Sequence, residues 1–212
     1  LASERSTGLY RSMRIIILRI LLFSFVALLV TATGLYFWLC TSLPDTSGEK
    51  EISGISSKVK ITRTIHGVPT IDAASPEDGW FALGFVHAQD RLWQMEGMRR
   101  FALGELSEVI GPETLRTDIA QRRIGFGRLA KAQFNSLNDD TRRALVAYAD
   151  GVNAYLNSRS GMLPLEFALI DFKPSPWLPE HGLLWGRLMA YQLSARWRDD
   201  LARESLIDKV GI

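Results

Sequence analysis

Hydrophobic and polar positions first separate a long uncharged stretch from the rest of the chain. Residues 20–40 (ILLFSFVALLVTATGLYFWLC) contain no charged side chain. A helix of about 20 apolar residues matches a hydrocarbon core of about 30 Å. This stretch therefore predicts a membrane-spanning helix between a basic segment, residues 1–19, and everything that follows residue 40.

Charges on the two sides of this helix predict its direction. Four arginines and one glutamate precede it, whereas the residues just after it are mainly acidic: Arg5, Arg11, Arg14, Arg19 and Glu4 before, Asp45, Glu49, Lys50 and Glu51 after. Positively charged flanks stay on the cytoplasmic side. In a Gram-negative cell we therefore expect a single-pass inner-membrane protein whose later residues face the periplasm or the extracellular side.

Two alternatives to an uncleaved anchor remain open. A cleaved signal peptide has an apolar core of about 7–15 residues that ends in small residues. The core here is longer and ends in Phe37-Trp38-Leu39-Cys40. A lipid attached to Cys40 is the second alternative, although bulky Leu39 disfavours it.

Shorter periodicities predict the elements of the remaining chain. Residues 41–57 are polar and rich in serine and glycine, which predicts a tether before a domain at 58–212. Alternation over residues 59–65 predicts a strand, with a turn at 67–69 and a short second strand at 70–73.

Helices account for most of the predicted domain. Ser75 and Pro76 indicate a helix start, and Gly104 indicates its end near residue 103. A second helix is expected at 139–157, a proline-rich loop at 172–179, and one last helix from about 180 to 208. The predicted buried faces are Phe81, Phe85, Ala88, Leu92 and Met95 on the first helix, and Leu145, Tyr148, Val152 and Tyr155 on the second.

Composition excludes several functional classes. A net charge of +2 provides no basic excess for binding nucleic acid. The single cysteine excludes an internal disulfide and a multi-cysteine metal site. Neither a phosphate-binding glycine loop nor a G-x-S-x-G nucleophile motif occurs. Because the sequence starts at Leu1 and runs to Ile212 without a visible stop signal, we expect it to be part of a longer chain.

Polar residues interrupt the first long helix between positions 89 and 94. We expect Asp90 to form an ion pair with Arg91 or Arg100; a solvated polar face is the alternative. His87 lies on the same helix and is interpreted as a structural histidine, because no nucleophile can be assigned beside it.

Six ordered segments resemble one family, the penicillin acylases among the N-terminal-nucleophile hydrolases. They cover the chain from about residue 59 to 203: HGVPTI at 66–71, GFVHAQDRLWQM at 84–95, RR at 99–100, GELSE at 104–108, YADGVNA at 148–154 and WLPE at 177–180. The N-terminal apolar helix and Ser-Leu-Pro tether also resemble a membrane-attached branch of that family.

The resemblance implies an α+β fold, a four-layered αββα sandwich when complete. This chain would be the mostly helical α-subunit region, with one or two short strands. A self-cleaving precursor would also produce a β-subunit partner that begins with the nucleophilic serine. No catalytic residue is then expected within this chain, and the reaction would be hydrolysis of linear amides through an acyl-enzyme.

The same resemblance implies two contributions from this chain. The family's acyl pocket is partly lined by positions that match Met189, Gln192 and Leu193. Penicillin-cleaving relatives have arginine and phenylalanine at the last two, so Leu193 suggests a wider, more aliphatic pocket. Ordinary core positions are the alternative interpretation.

A structural calcium ion, without an organic cofactor, is also implied by the family. The matching carboxylates are Asp199 and Asp200, and Asp200 is favoured because aliphatic Leu201 follows it. The alternative interpretation is a solvated acid. Three functions stay open: a penicillin acylase-like amidase, an acyl-homoserine lactone acylase of the same family, and a membrane-tethered binding module without catalysis.

Overall fold

The computed structural model of the chain describes residues 2–194 and 196–211. These form two compact units, one ending at Leu43 and the other beginning at Pro44. The first unit is a single helix, α1, which spans Ala2–Cys40 and is followed by a turn. Its segment Ile16–Cys40 contains 18 consecutive residues with a mean hydropathy of 2.4, none of which is buried. This helix is therefore long and apolar enough to cross a membrane, judged by length and composition.

The second unit begins with a coil and a small hairpin. Strand β1 spans Lys60–Arg63 and strand β2 spans Pro69–Asp72. They pair antiparallel, with Lys60 opposite Asp72 and Arg63 opposite Pro69. Both predicted strands are confirmed, although β1 is shorter than the alternating pattern suggested.

Helices form the rest of this unit. Their bounds are α2 Pro76–Leu103, α3 Leu115–Ile124, α4 Phe126–Ser136, α5 Asp139–Ser158, α6 Leu165–Leu169, α7 His181–Leu193 and α8 Trp197–Val210. Two 3-10 turns, Leu106–Glu108 and Pro112–Thr114, lie between α2 and α3.

The ends of α2 form where local chemistry predicts them. The Ser75 hydroxyl accepts a hydrogen bond from the Asp78 amide at 3.1 Å, and Pro76 occupies the first turn. Gly104 ends the helix in the left-handed conformation, with φ of 70°. Between these ends α2 is kinked at Arg91, whose φ of −141° is not helical.

The main core lies between α2 and α5, which cross at two glycines. A Cβ on Gly84 would meet the Tyr148 carbonyl oxygen at 2.0 Å, and one on Gly151 would meet the Phe81 carbonyl oxygen at 1.9 Å. The missing side chains let the two backbones touch. Around this crossing the buried cluster contains Phe85, Ala88, Leu92, Ala149, Val152, Tyr155, Phe167 and Trp177.

A second core joins the end of α2 to α4 and α7. It contains Ala102, Phe126, Ala130, Leu184 and Leu188. This cluster holds α7 by one face only, which determines the side chains that α7 leaves exposed.

The prediction of one continuous last helix is wrong. Helix α7 ends at Leu193 and α8 begins at Trp197. The Ser194 hydroxyl donates to the Ala190 carbonyl at 2.7 Å and lies 3.2 Å from that of Tyr191. The same Ala190 carbonyl also accepts from the Ser194 amide at 3.0 Å, and Ser194 is the residue at which the chain leaves α7.

Candidate functional site

The outer face of α7 holds the predicted pocket residues. Leu184 and Leu188 turn inward to the second core. Trp185, Met189 and Leu193 follow at intervals of four and remain 53%, 42% and 79% exposed. Residues spaced by four lie on one side of a helix, so these three form an apolar stripe. We call these three residues, together with the neighbouring exposed Gln192, the α7 stripe.

Gln192 is also exposed and adjoins Met189 on this side of the helix. The structure thus brings the three predicted pocket residues together on one surface. Among the described residues they lie outside the two cores. An apolar helix face of this kind is typical of a wall that another part of a protein covers.

Hydrogen bonds to the loop before α7 fix the start of this helix. The Trp177 amide donates to the Asn153 side chain at 2.7 Å, and the Asn153 amide group donates to the Trp177 carbonyl at 2.9 Å. His181 Nδ1 accepts from the Leu178 amide at 3.0 Å. Burial, followed by the nearby charge of Arg99, lowers the pKa of His181 to about 4. The imidazole is therefore neutral at neutral pH and stays available as an acceptor.

A buried charge cluster connects this loop to α2. Glu96 accepts from Arg99 and, at 2.8 Å, from Arg100 Nε, and the side chains of all three are at most 9% exposed. Arg99 also donates to the Ser175 and Pro176 carbonyls at 3.2 and 3.1 Å. One carboxylate thus orients two arginines, one of which holds the loop that precedes α7.

Asp90 forms an ion pair, but the predicted partners are wrong. Its carboxylate accepts two hydrogen bonds from Arg63, at 2.8 and 2.9 Å. Arg100 instead contacts Glu96 and Glu108. Arg63 lies on β1, far from Asp90 in sequence, so the spacing of charges along one helix could not predict this pair.

His87 has a structural environment. Its Nδ1 lies 3.0 Å from the Tyr148 hydroxyl of α5. Burial lowers the pKa of His87 and raises the pKa of Tyr148 to about 12. Both groups are therefore neutral near pH 7, and their contact joins α2 to α5, as the structural interpretation expects.

The two candidate calcium ligands lie in the first turn of α8. Asp199 and Asp200 are exposed, and an Asp200 oxygen lies 3.8 Å from Arg203. Among the described residues no group of three histidine, cysteine or acidic side chains is arranged to hold a metal ion. A calcium ion at Asp200 would therefore take its other ligands from outside these residues.

Comparison with known proteins identifies the family. The family model described as Penicillin amidase matches residues 58–211. The chain therefore belongs to the penicillin amidase family.

Individual relatives carry two kinds of name. The chain is 40% identical over 159 residues to penicillin acylase 2 proenzyme of Pseudomonas sp. (strain SE83), covering 75% of this chain and 20% of the relative. It is 36% identical over 187 residues to the acyl-homoserine lactone acylase QuiP of Pseudomonas aeruginosa, covering 86% of this chain and 22% of the relative. The chain thus spans about one fifth of the length of these relatives.

A solved structure is similar over most of its own chain. Thermostable penicillin G acylase from Alcaligenes faecalis matches with a TM-score of 0.62 and 31% identity. The match covers 72% of this chain and 84% of the solved one, so the two chains are of similar length. The expected fold class is confirmed: a mostly helical region with two short strands and the fold of a penicillin acylase.

Proposed function

We propose that this chain is the α-subunit region of a self-processing amide hydrolase that cleaves linear amides. The observation that carries the proposal is the match to a separate, short acylase chain, together with relatives about five times longer. One of those relatives is named a proenzyme. A β-subunit from the same precursor would then supply the catalytic serine.

The division of chemistry follows from this arrangement. A serine hydroxyl needs an adjacent base to become nucleophilic, and here the serine's own α-amino group would serve. Backbone donors would stabilise the oxyanion of the tetrahedral intermediate. All of these groups would belong to the β-subunit. The α7 stripe would supply one wall of the pocket for the substrate's acyl group, with Met189, Gln192 and Leu193 as its lining.

Hydrolysis by the complete protein tests this function. We expect release of free acid and amine from N-acyl substrates, and loss of the reaction when the first serine of the β-subunit is replaced by alanine. Absence of hydrolysis from a correctly folded protein would favour the non-catalytic binding module.

Substrate class is the finer question. Leu193 places an aliphatic side chain on the stripe, and six of the similar proteins are named acyl-homoserine lactone acylases. Both observations favour the acyl-homoserine lactone alternative over phenylacetyl amides. A side-by-side assay of N-acyl-homoserine lactones, long-chain acyl amides and phenylacetyl amides separates the candidates.

One variant tests the role of the stripe. Leu193→Phe narrows the wall, so we expect kcat/KM for long-chain acyl substrates to fall by about tenfold relative to phenylacetyl substrates. Leu169→Phe is the matched control, since Leu169 is an exposed leucine on α6. An equal effect of both variants on the substrate ratio would remove Leu193 from the pocket.

Calcium binding is the second proposed contribution. Asp200, with Asp199 beside it, would donate one carboxylate to a structural calcium ion otherwise held by the β-subunit. Calcium tolerates a shorter carboxylate because its ligand geometry is flexible. Asp200→Asn should lower the calcium content of the purified complete protein, whereas Asp208→Asn on the same helix should not. Equal calcium in both variants would contradict the assignment.

The membrane anchor is the third contribution that we propose for this chain. Residues 20–40 would hold the α-region in the inner membrane, with the domain on the periplasmic side. We propose no nucleic-acid partner for this chain. The β-subunit would then stay at the membrane only through the α-subunit. Washing membranes with mild denaturant should release β and leave α behind; release of both chains together would contradict an uncleaved anchor.

A further inference from the structure

Trp185 is the member of the α7 stripe to which the proposed pocket assigns no role. Its side chain is 53% exposed, although tryptophan offers more apolar surface than any other residue. Met189 follows one helical turn later and Leu193 two turns later, so the three side chains form one row. An apolar group that lies along Leu193 and Met189 therefore also meets Trp185 if it is long enough.

A row of small residues runs beside this row of large ones. Gly186 and Ala190 each come one position after a large member, Trp185 or Met189, and both are exposed. A Cβ on Gly186 would meet no atom within 4 Å, so packing among the described residues does not require a glycine there. The large side chains thus stand next to an open strip of helix surface, and the two rows form a shallow channel along α7.

The channel has a polar end and an apolar end. Gln192 lies near the C-terminal end of α7, whereas Met189 and Trp185 continue the stripe towards the N-terminal end. The side-chain amide of Gln192 can both donate and accept hydrogen bonds. An N-acyl substrate has the same division, with a polar amide at one end of an apolar acyl chain. The matching orientation places the substrate's amide near Gln192 and its acyl tail towards Trp185.

Helix geometry gives the spacing along the channel. Each helical residue advances about 1.5 Å, so Met189 lies about 6 Å from Leu193 along the helix axis, and Trp185 about 12 Å. An extended hydrocarbon advances about 1.3 Å per carbon, given carbon–carbon bonds of about 1.5 Å. Successive members of the row therefore contact such a chain about five carbons apart. A butanoyl chain that starts beside Leu193 ends short of Met189, and a chain of about ten carbons reaches Trp185.

We propose that Trp185 binds the far end of a long, straight acyl chain and thereby sets the preferred acyl length at about ten carbons or more. The proposal rests on the amide hydrolysis proposed above and deepens it. The acyl chain occupies the channel, with its tail on the Trp185 indole. Contact with the tail strengthens binding only of chains that reach this residue, so Trp185 governs selectivity for length and contributes nothing to the hydrolysis of short chains.

A series of acyl chain lengths tests this assignment. The complete protein is assayed for kcat and KM on N-acyl-homoserine lactones with straight chains from butanoyl to tetradecanoyl. The variants are Trp185→Ala, Trp185→Phe and Met189→Ala. Trp80→Ala is the matched control, because Trp80 is another tryptophan of similar exposure, 46%, and lies on α2.

Trp185→Ala should lower kcat/KM for dodecanoyl and tetradecanoyl substrates by about tenfold, mainly through KM, and change it by less than about twofold for butanoyl and hexanoyl. The loss in Met189→Ala should begin about five carbons earlier in the series, wherever the substrate carbonyl lies. Trp185→Phe retains an aromatic ring and should restore most of the long-chain activity. Trp80→Ala should leave the ratio of long-chain to short-chain kcat/KM unchanged.

Equal losses at every chain length in Trp185→Ala would show that Trp185 supports the fold or is covered by the β-subunit. That result would overturn the proposal while amide hydrolysis stands. A wild-type kcat/KM that does not increase with acyl length would overturn it as well. A folded wild-type protein that hydrolyses no N-acyl substrate would overturn the proposed function and, with it, the role of Trp185.

Discussion

The crossing of α2 and α5 gives the sharpest test of the fold, because two glycines of one helix predict opposite effects. Gly84→Ala would place a methyl group 2.0 Å from the Tyr148 carbonyl oxygen. Ordinary contact requires at least 3.4 Å, so the helices must separate by roughly 1 Å or more. The methyl group that Gly97→Ala adds would meet no atom within 4 Å.

Magnitudes follow from these two environments. Overpacking of a tight core costs about 1–3 kcal/mol, and the cost can be larger where the obstacle is backbone, as it is at Gly84. Alanine is a better helix former than glycine by about 0.8–1 kcal/mol, which stabilises α2 at position 97. We therefore expect the two substitutions to change the free energy of unfolding in opposite directions.

Differential scanning calorimetry of the complete protein measures the outcome. Gly84→Ala should lower the unfolding midpoint, and Gly97→Ala should leave it unchanged or raise it. If Gly84→Ala were as stable as the wild-type protein, or if Gly97→Ala were the more damaging change, the close helix crossing would be wrong.

Two further predictions concern the base of α7. Glu96→Gln leaves Arg99 and Arg100 buried without their carboxylate and should destabilise the protein by about 3–5 kcal/mol. The control Glu108→Gln removes a half-exposed ion-pair partner of Arg100 and should cost about 1 kcal/mol or less. Equal unfolding midpoints for the two variants would contradict the buried cluster. Because the pKa of His181 is about 4 in the folded chain against 6.5 ordinarily, stability should be lost as pH falls from about 6.5 towards 4. His181→Gln should flatten this pH dependence in calorimetry between pH 7 and 4.5, and an unchanged slope would show that other groups cause it.

Local chemistry explains which parts of the fold are predictable. The ends of α2 depend on Ser75, Pro76 and Gly104, whose effects act within one helical turn, and both ends were predicted correctly. The break after α7 falls at Ser194, within a helical pattern that contains no glycine or proline. Nothing in the periodicity distinguishes that serine from an exposed helical one.

Ion pairs between residues far apart in the sequence could not be predicted for a different reason. Asp90 contacts Arg63 because the hairpin folds back over α2, and only the tertiary structure brings these residues together. Glu96 was missed because an acidic residue between apolar and basic neighbours is typical of a solvated helix face. Its burial becomes visible only once the loop before α7 covers it.

The candidate site shows a similar limit. Met189, Gln192 and Leu193 came from the family resemblance, since their spacing alone fits a core face equally well. The structure assigns the core to Leu184 and Leu188 and leaves the α7 stripe exposed. Periodicity cannot show which of two apolar faces of a helix packs in the core of this chain when another part of the protein covers the other face.

Intact mass and N-terminal sequencing of the purified complete protein test the central claim most directly. We predict two chains: one that carries the region described here, and a longer one that begins with a serine bearing a free α-amino group. Replacing that serine by alanine should leave a single uncut precursor without amide hydrolysis. A wild-type product that remains one uncut chain, or whose second chain begins without a nucleophilic residue, would contradict the account.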